Sequence, residues 1–115
     1  MIALPTHTDI FLFSQPTDMR KSFCGLAGIV RDKLGREPND GSLFVFINRN
    51  KDKLKALYWD HDGLALWYKR LESGTFERIA GDGKSSIQID AAQLAMLLGG
   101  ISIDSAKRRK RFKAA

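Results

Sequence analysis

Residues 43–71, LFVFINRNKDKLKALYWDHDGLALWYKRL, leave the chain few folds to choose from. Three apolar runs are separated by two polar breaks. The first run, residues 43–47, is unbroken, rich in aromatic and β-branched side chains and too short for an ordinary helix. It predicts a strand covered on both faces. Residues 48–53 are polar with alternating charge and read as a loop. Residues 54–59 and 64–71 then flank Asp60-His61-Asp62-Gly63. Asp tolerates left-handed backbone angles and Gly adopts them freely, so this tetrapeptide predicts a hairpin turn with Gly63 at the position of positive φ. Three successive antiparallel strands make a meander. Most of the aromatic residues lie in it, so the core is expected to form around this sheet.

The rest of the chain adds elements on either side. Residues 9–14 (DIFLFS) predict a strand with Ile10 and Leu12 on one face and Phe11 and Phe13 on the other. Pro16 ends it. Met19, Phe23, Leu26, Ala27, Val30 and Leu34 share one helical face, which predicts a helix capped by Thr17 or Asp18 and stopped by Gly35. Gly25 and Gly28, inside this helix, are expected where it packs closely on the sheet. After a loop at residues 36–42 and the meander, residues 75–79 read as one further strand. Residues 80–86 form a loop, and residues 87–89 a short strand or extended approach to a second helix. Asp90-Ala91-Ala92-Gln93 is a capping-box pattern, and Gly99-Gly100 stop that helix. The layout predicts an α+β fold: an antiparallel β-meander sheet packed against two helices in one compact domain, residues 1–104.

Residues 105–115 predict a basic C-terminal tail without order of its own. Of 19 basic residues, six fall between positions 107 and 113, namely Lys107, Arg108, Arg109, Lys110, Arg111 and Lys113. The remaining 13 basic residues balance the 13 acidic ones, so the formal net charge of +6 belongs to this tail. A run of this kind meets polyanions. No apolar run approaches membrane-spanning length and the N-terminus lacks a signal-peptide pattern, so a cytoplasmic, nucleoid-associated protein is expected. The single cysteine, Cys24, cannot form an intramolecular disulfide.

Catalytic constellations are weak. Asp60, His61 and Asp62 are adjacent in a tight turn, where side chains diverge instead of meeting on one ion. Gly81-Asp82-Gly83-Lys84-Ser85 lacks the leading glycine and the strand-to-helix setting of a phosphate loop. No catalytic residue, metal or cofactor is expected, and a metal-dependent nuclease using the scattered acids is the least favoured alternative. Binding features are stronger. Arg49, Lys51, Lys53 and Lys55 cluster around the first meander loop, Lys69 and Arg70 sit on its third strand, and Arg20 and Lys21 at the start of the first helix. With the interleaved aromatics, these cations suit phosphate contacts and base stacking.

Three segments carry a resemblance: residues 16–30 (PTDMRKSFCGLAGIV), residues 41–76, with KALYWDHDG and KRLESGTF, and residues 93–101 (QLAMLLGGI). The sequence resembles TnpB, the small accessory protein encoded by the second open reading frame of insertion sequences in the IS-sixty-six group. Ser22 and Cys24 stand where that pattern has glycine and aspartate. The resemblance implies a non-catalytic role in transposition beside a separate transposase, with DNA at the ends of the mobile element, the transposase, or both as partners. Asp18, Asp60 and Asp62 are expected to pair with Arg20 or Arg70 and, with Trp67, to fix a surface for the transposase. A pure protein adaptor, without specific DNA binding, is the alternative.

Overall fold

The protein is described by a computed structural model covering residues 8–79, 81–104 and 109–112. Its elements run β1 (Ile10–Phe13), α1 (Phe23–Lys33), β2 (Leu43–Ile47), β3 (Lys53–Asp60), β4 (Gly63–Arg70), β5 (Ser86–Ile89) and α2 (Ala91–Gly99). One five-stranded sheet has the order β4-β3-β2-β1-β5. The α+β class and the β2-β3-β4 meander match the expectation, but the sheet is mixed: β1 runs parallel to β2. The chain between these strands contains α1, and a helical crossover is the usual way to return a strand in the same direction. β5 then pairs antiparallel with the free side of β1.

The alternation within β1 and β2 divides the core in two. Ile10, Leu12, Leu43, Val45 and Ile47 face α2 and pack with Leu54, Phe76, Leu94 and Leu97. Phe11, Phe13, Phe44 and Phe46 face α1 and pack with Leu26, Val30 and Leu57. One helix therefore covers each face, and every residue of β1 and β2 is buried.

The second helix forms as its sequence predicts. The Gln93 N–H donates to the Asp90 carboxylate at 2.7 Å, and the Gln93 side-chain oxygen accepts from the Asp90 N–H at 3.0 Å. Gly100 closes it in the left-handed conformation.

The first helix differs. It begins at Phe23, with Ser22 as N-cap and no side-chain cap bond. Residues 17–21 instead turn on Asp18, whose carboxylate is held by Arg20 and is not offered to helical amides. Gly28 has open space around its missing Cβ, and at Gly25 the near neighbour would be the Lys21 side chain. Close packing on the sheet therefore explains neither glycine. In the β3–β4 turn the positive φ falls on His61, at 57°, while Gly63 is the first residue of β4, opposite Asp60.

Residues 75–79 form no strand. Their polar groups bond to loops: the Phe76 N–H donates to the Lys51 carbonyl at 2.7 Å, and the Glu77 carboxylate receives the Ile103 N–H at 2.6 Å and the Ser102 hydroxyl at 2.9 Å. Residues 109–112 lie along this segment as a strap. Arg109 donates through Nε to the Thr75 carbonyl at 3.1 Å and through Nη2 to the Thr75 hydroxyl at 2.8 Å. Arg111 donates to the same carbonyl at 2.9 Å and to the Leu97 carbonyl at 3.3 Å, with its guanidinium 5.3 Å from the centre of the Phe76 ring. The Leu97 carbonyl lies in the last turn of α2, where a cation also meets the negative end of the helix dipole. Gly74, at φ 82°, admits the strap: a Cβ there would meet the Lys110 backbone carbonyl. The strap is thus docked on the body, unlike the free tail expected there. Lys107, Arg108 and Lys113 lie outside the described residues.

Candidate nucleic-acid interface

Three separate segments meet at one end of the β3–β4 ribbon. The first is the turn before α1. The Thr17 N–H donates to the Ile47 carbonyl at 2.9 Å, tying the turn across the end of β2. The Asp18 carboxylate then accepts the Arg20 backbone N–H at 2.9 Å and the Arg20 guanidinium through Nε and, at 2.6 Å, Nη2. These Arg20 bonds, side chain first and backbone second, hold the Asp18 carboxyl down at about 2. Arg20 is oriented by this fork while 92% of its side chain remains exposed.

The second segment is the loop between β2 and β3, organised by Asn48. The Asn48 side chain accepts the Asp52 and Lys53 N–H groups at 3.1 and 3.0 Å and donates to the Asp52 carboxylate at 2.7 Å. The Arg78 guanidinium donates to the Asn48 carbonyl at 2.7 Å. Burial, and then the charge of Arg49 beside it, push Arg78 below the usual arginine value. With Asn48 spent inside the loop, Arg49 and Asn50 stand exposed at its tip.

The third segment is the strand pair. Lys53 and Tyr68 complete an open groove of about 760 Å³, whose lining also includes Thr17, Asp18, Arg20, Asn48, Arg49 and Asn50. Tyr68 lies opposite Lys55 in the β3–β4 register. Lys55 is buried beneath: its ammonium donates to the Met19 and Lys21 carbonyls at 2.7 Å each and lies 4.7 Å from the centre of the Tyr68 ring. The Thr17 hydroxyl is also buried and has no hydrogen-bond partner among the described residues.

The sequence-derived site residues therefore separate. Arg20, Arg49 and Lys53 come together at the groove. Lys55 leaves the set of expected phosphate contacts, because its buried ammonium is taken up by two backbone carbonyls and lies against the inner side of the Tyr68 ring. Lys21 is exposed but precedes α1, so neither it nor Arg20 stands in the helix's first turn. Lys51 takes φ 62° and uses its backbone to hold the loop. Arg70 pairs with Glu72 at 3.3 Å, in place of the expected aspartate partners. Asp60 and Asp62 sit at the exposed opposite tip of the ribbon, about 23 Å away at the rise of an eight-residue strand. Trp67 packs on the α2 side of the sheet, and Lys69 shares that face. Arg109 and Arg111 are engaged by the body, and Lys110 is exposed between them. Asn48, Asn50 and Arg78 were not expected from the sequence, and Thr17 was expected only as a helix cap. Their signal lay in position: Thr17 inside the first resembling segment, and the two Asn directly after an apolar strand.

Among the described residues no three His, Cys, Asp or Glu side chains group as metal ligands. No helix among them is long and apolar enough to cross a membrane. The structure is thus a small α+β domain with a cation-rimmed groove. The chain belongs to the family described as IS66 Orf2 like protein, whose model matches residues 8–108. It is similar to the uncharacterized protein y4hO of Sinorhizobium fredii, 40% identical over 101 residues that cover 88% of this chain and 87% of that one. It is also similar to the uncharacterized protein y4jC of the same organism, 33% identical over 101 residues, covering 87% and 85%. No solved structure matches it significantly. Family membership makes this an accessory protein of insertion-sequence transposition.

Proposed function

We propose that the protein serves transposition by holding DNA at the ends of its mobile element against the groove, without cutting it. The observation that carries this reading is the convergence of Arg20, Arg49 and Lys53, from three separate segments, on one open groove. Arg20 is paired with Asp18 and Lys53 lies 3.4 Å from Asp52, while Arg49 has no acidic partner among the described residues, so Arg49 is the lead phosphate contact. Cations so placed contact phosphates, and such contacts position a protein on DNA more than they read its sequence.

The test is binding to labelled duplex carrying the terminal repeats and to a scrambled duplex, across a salt series. Exchanging Arg49 and Lys53 together for alanine should weaken binding at least about tenfold and make the salt slope less negative by roughly two. Unchanged affinity would remove the groove from DNA contact.

A second reading has its own observation. Phe23 and Trp59 are 44% and 40% exposed, and both belong to the α1 side of the sheet. Exposed aromatics on this side suit a protein partner, namely the transposase of the same element. Absence of DNA affinity, with transposase co-purification that is lost in a Phe23→Ser, Trp59→Ser variant, would put the adaptor first.

A further inference from the structure

The groove has parts that a paired duplex does not use. A duplex offers its phosphates on a convex surface and keeps its bases stacked inside, so rim cations alone satisfy it. Here the cations surround a recess of about 760 Å³, within the size range of clefts that enclose small ligands. Tyr68 lines that recess with 49% of its surface exposed. Its ring is not free to wander: the Lys55 ammonium lies against it, and that ammonium is itself fixed by two backbone carbonyls. That contact favours the orientation in which the ring faces the recess. An aromatic surface beside cations is the arrangement that holds unpaired bases, since every base has a face to stack. A polar group for a base or sugar is present too: the exposed Asn50, whose neighbour Asn48 is committed to the loop.

We infer that the groove is a site for an unpaired nucleotide of a DNA strand, with the base stacked on Tyr68 and the flanking phosphates on Arg49, Lys53 and Arg20. This deepens the proposed function and rests on its premise that the protein binds DNA. The site would take single strands, or duplexes with an unpaired segment, in preference to fully paired DNA.

The experiment uses the full chain and a short single-stranded oligonucleotide carrying one fluorescent adenine analogue, beside a fully paired duplex of the same length. The single strand should bind more tightly, and the analogue's emission should fall on binding as its base stacks. Tyr68→Leu should lower single-strand affinity roughly tenfold and duplex affinity by much less, while Tyr68→Phe should keep both affinity and quenching. Emission unchanged when the wild-type protein binds the single strand would overturn the inference whatever the variants do. So would a Tyr68→Leu effect equal on both forms of DNA. Tight duplex binding with a weak single-strand interaction would sink the nucleotide site and leave DNA holding intact. No binding to either form would remove both.

Discussion

At the groove, Arg20 is held by Asp18 with 92% of its side chain in solvent, and Arg49 stands exposed at a loop tip. At the strap, Arg109 and Arg111 direct their guanidinium groups to the Thr75 and Leu97 carbonyls, and Arg111 covers Phe76. The same side chain does opposite work in the two places. Unspent backbone carbonyls near the strap consume its donors, whereas around the groove a side-chain carboxylate orients one guanidinium and leaves it accessible. Charge counted along a sequence does not separate the two cases. What separates them is where the acceptors lie, and a guanidinium with five donors will satisfy buried carbonyls when the chain brings them within reach.

The sharpest challenge to this division is Lys55, which lies at the groove yet behaves like a strap residue. Lys55→Met should keep the stem's packing and orphan the Met19 and Lys21 carbonyls. Loss of about 3 kcal/mol is expected in denaturant unfolding. A variant as stable as the wild type would mean that the ammonium is not structural. Next is Gly74→Ala, which places a Cβ against the Lys110 backbone at positive φ. It should cost about 2 kcal/mol and release the strap, with duplex affinity unchanged. If DNA binding fell in step with stability, the separation of structural from accessible arginines would fail.

Acid should loosen the strap side. Burial acts to raise the Glu77 carboxyl, but the bonds from Ile103, Ser102 and Asp104 and the nearby Arg109 outweigh it and hold the group below 4.5. Its contribution is therefore full above that ordinary value and is lost as pH falls through the depressed folded value. Unfolding measured from roughly pH 6 to pH 3 should show a steeper decline in the wild type than in Glu77→Gln. Equal slopes would deny the carboxylate this role. The smallest effect is a control belonging to neither region. Gly28→Ala, in open space inside α1, should gain about 0.5–1 kcal/mol and leave DNA affinity alone.

Much of the fold was legible because its signals are local. The alternation in β1, the apolar run of β2, the capping box at Asp90 and the stop at Gly100 each depend on neighbours within a few residues. Several misreadings arose where a competing partner decided, near in sequence for Asp18 and far for residues 75–79. Parallel pairing of β1 with β2 leaves no mark in either strand. Asp18 looks like a helix cap until Arg20 claims its carboxylate, and residues 75–79 look like a strand until loops take up their hydrogen bonds. The cations of the groove were legible as a class, and Arg20, Arg49 and Lys53 were among those named. Their convergence was not, since it needs the pre-helix turn tied to the end of β2 through Thr17.

The place of β1 in the sheet also has a consequence for biosynthesis. Ile10 pairs with Leu43 on one side and with Ile89 on the other. As the chain leaves the ribosome, β1 to β4 and α1 emerge ahead of β5, which begins at Ser86 after β4 ends at Arg70. During that interval the wholly apolar IFLF strand is an open edge, the kind that captures strands of other molecules. A chain ending before residue 86 should therefore aggregate where the full chain does not.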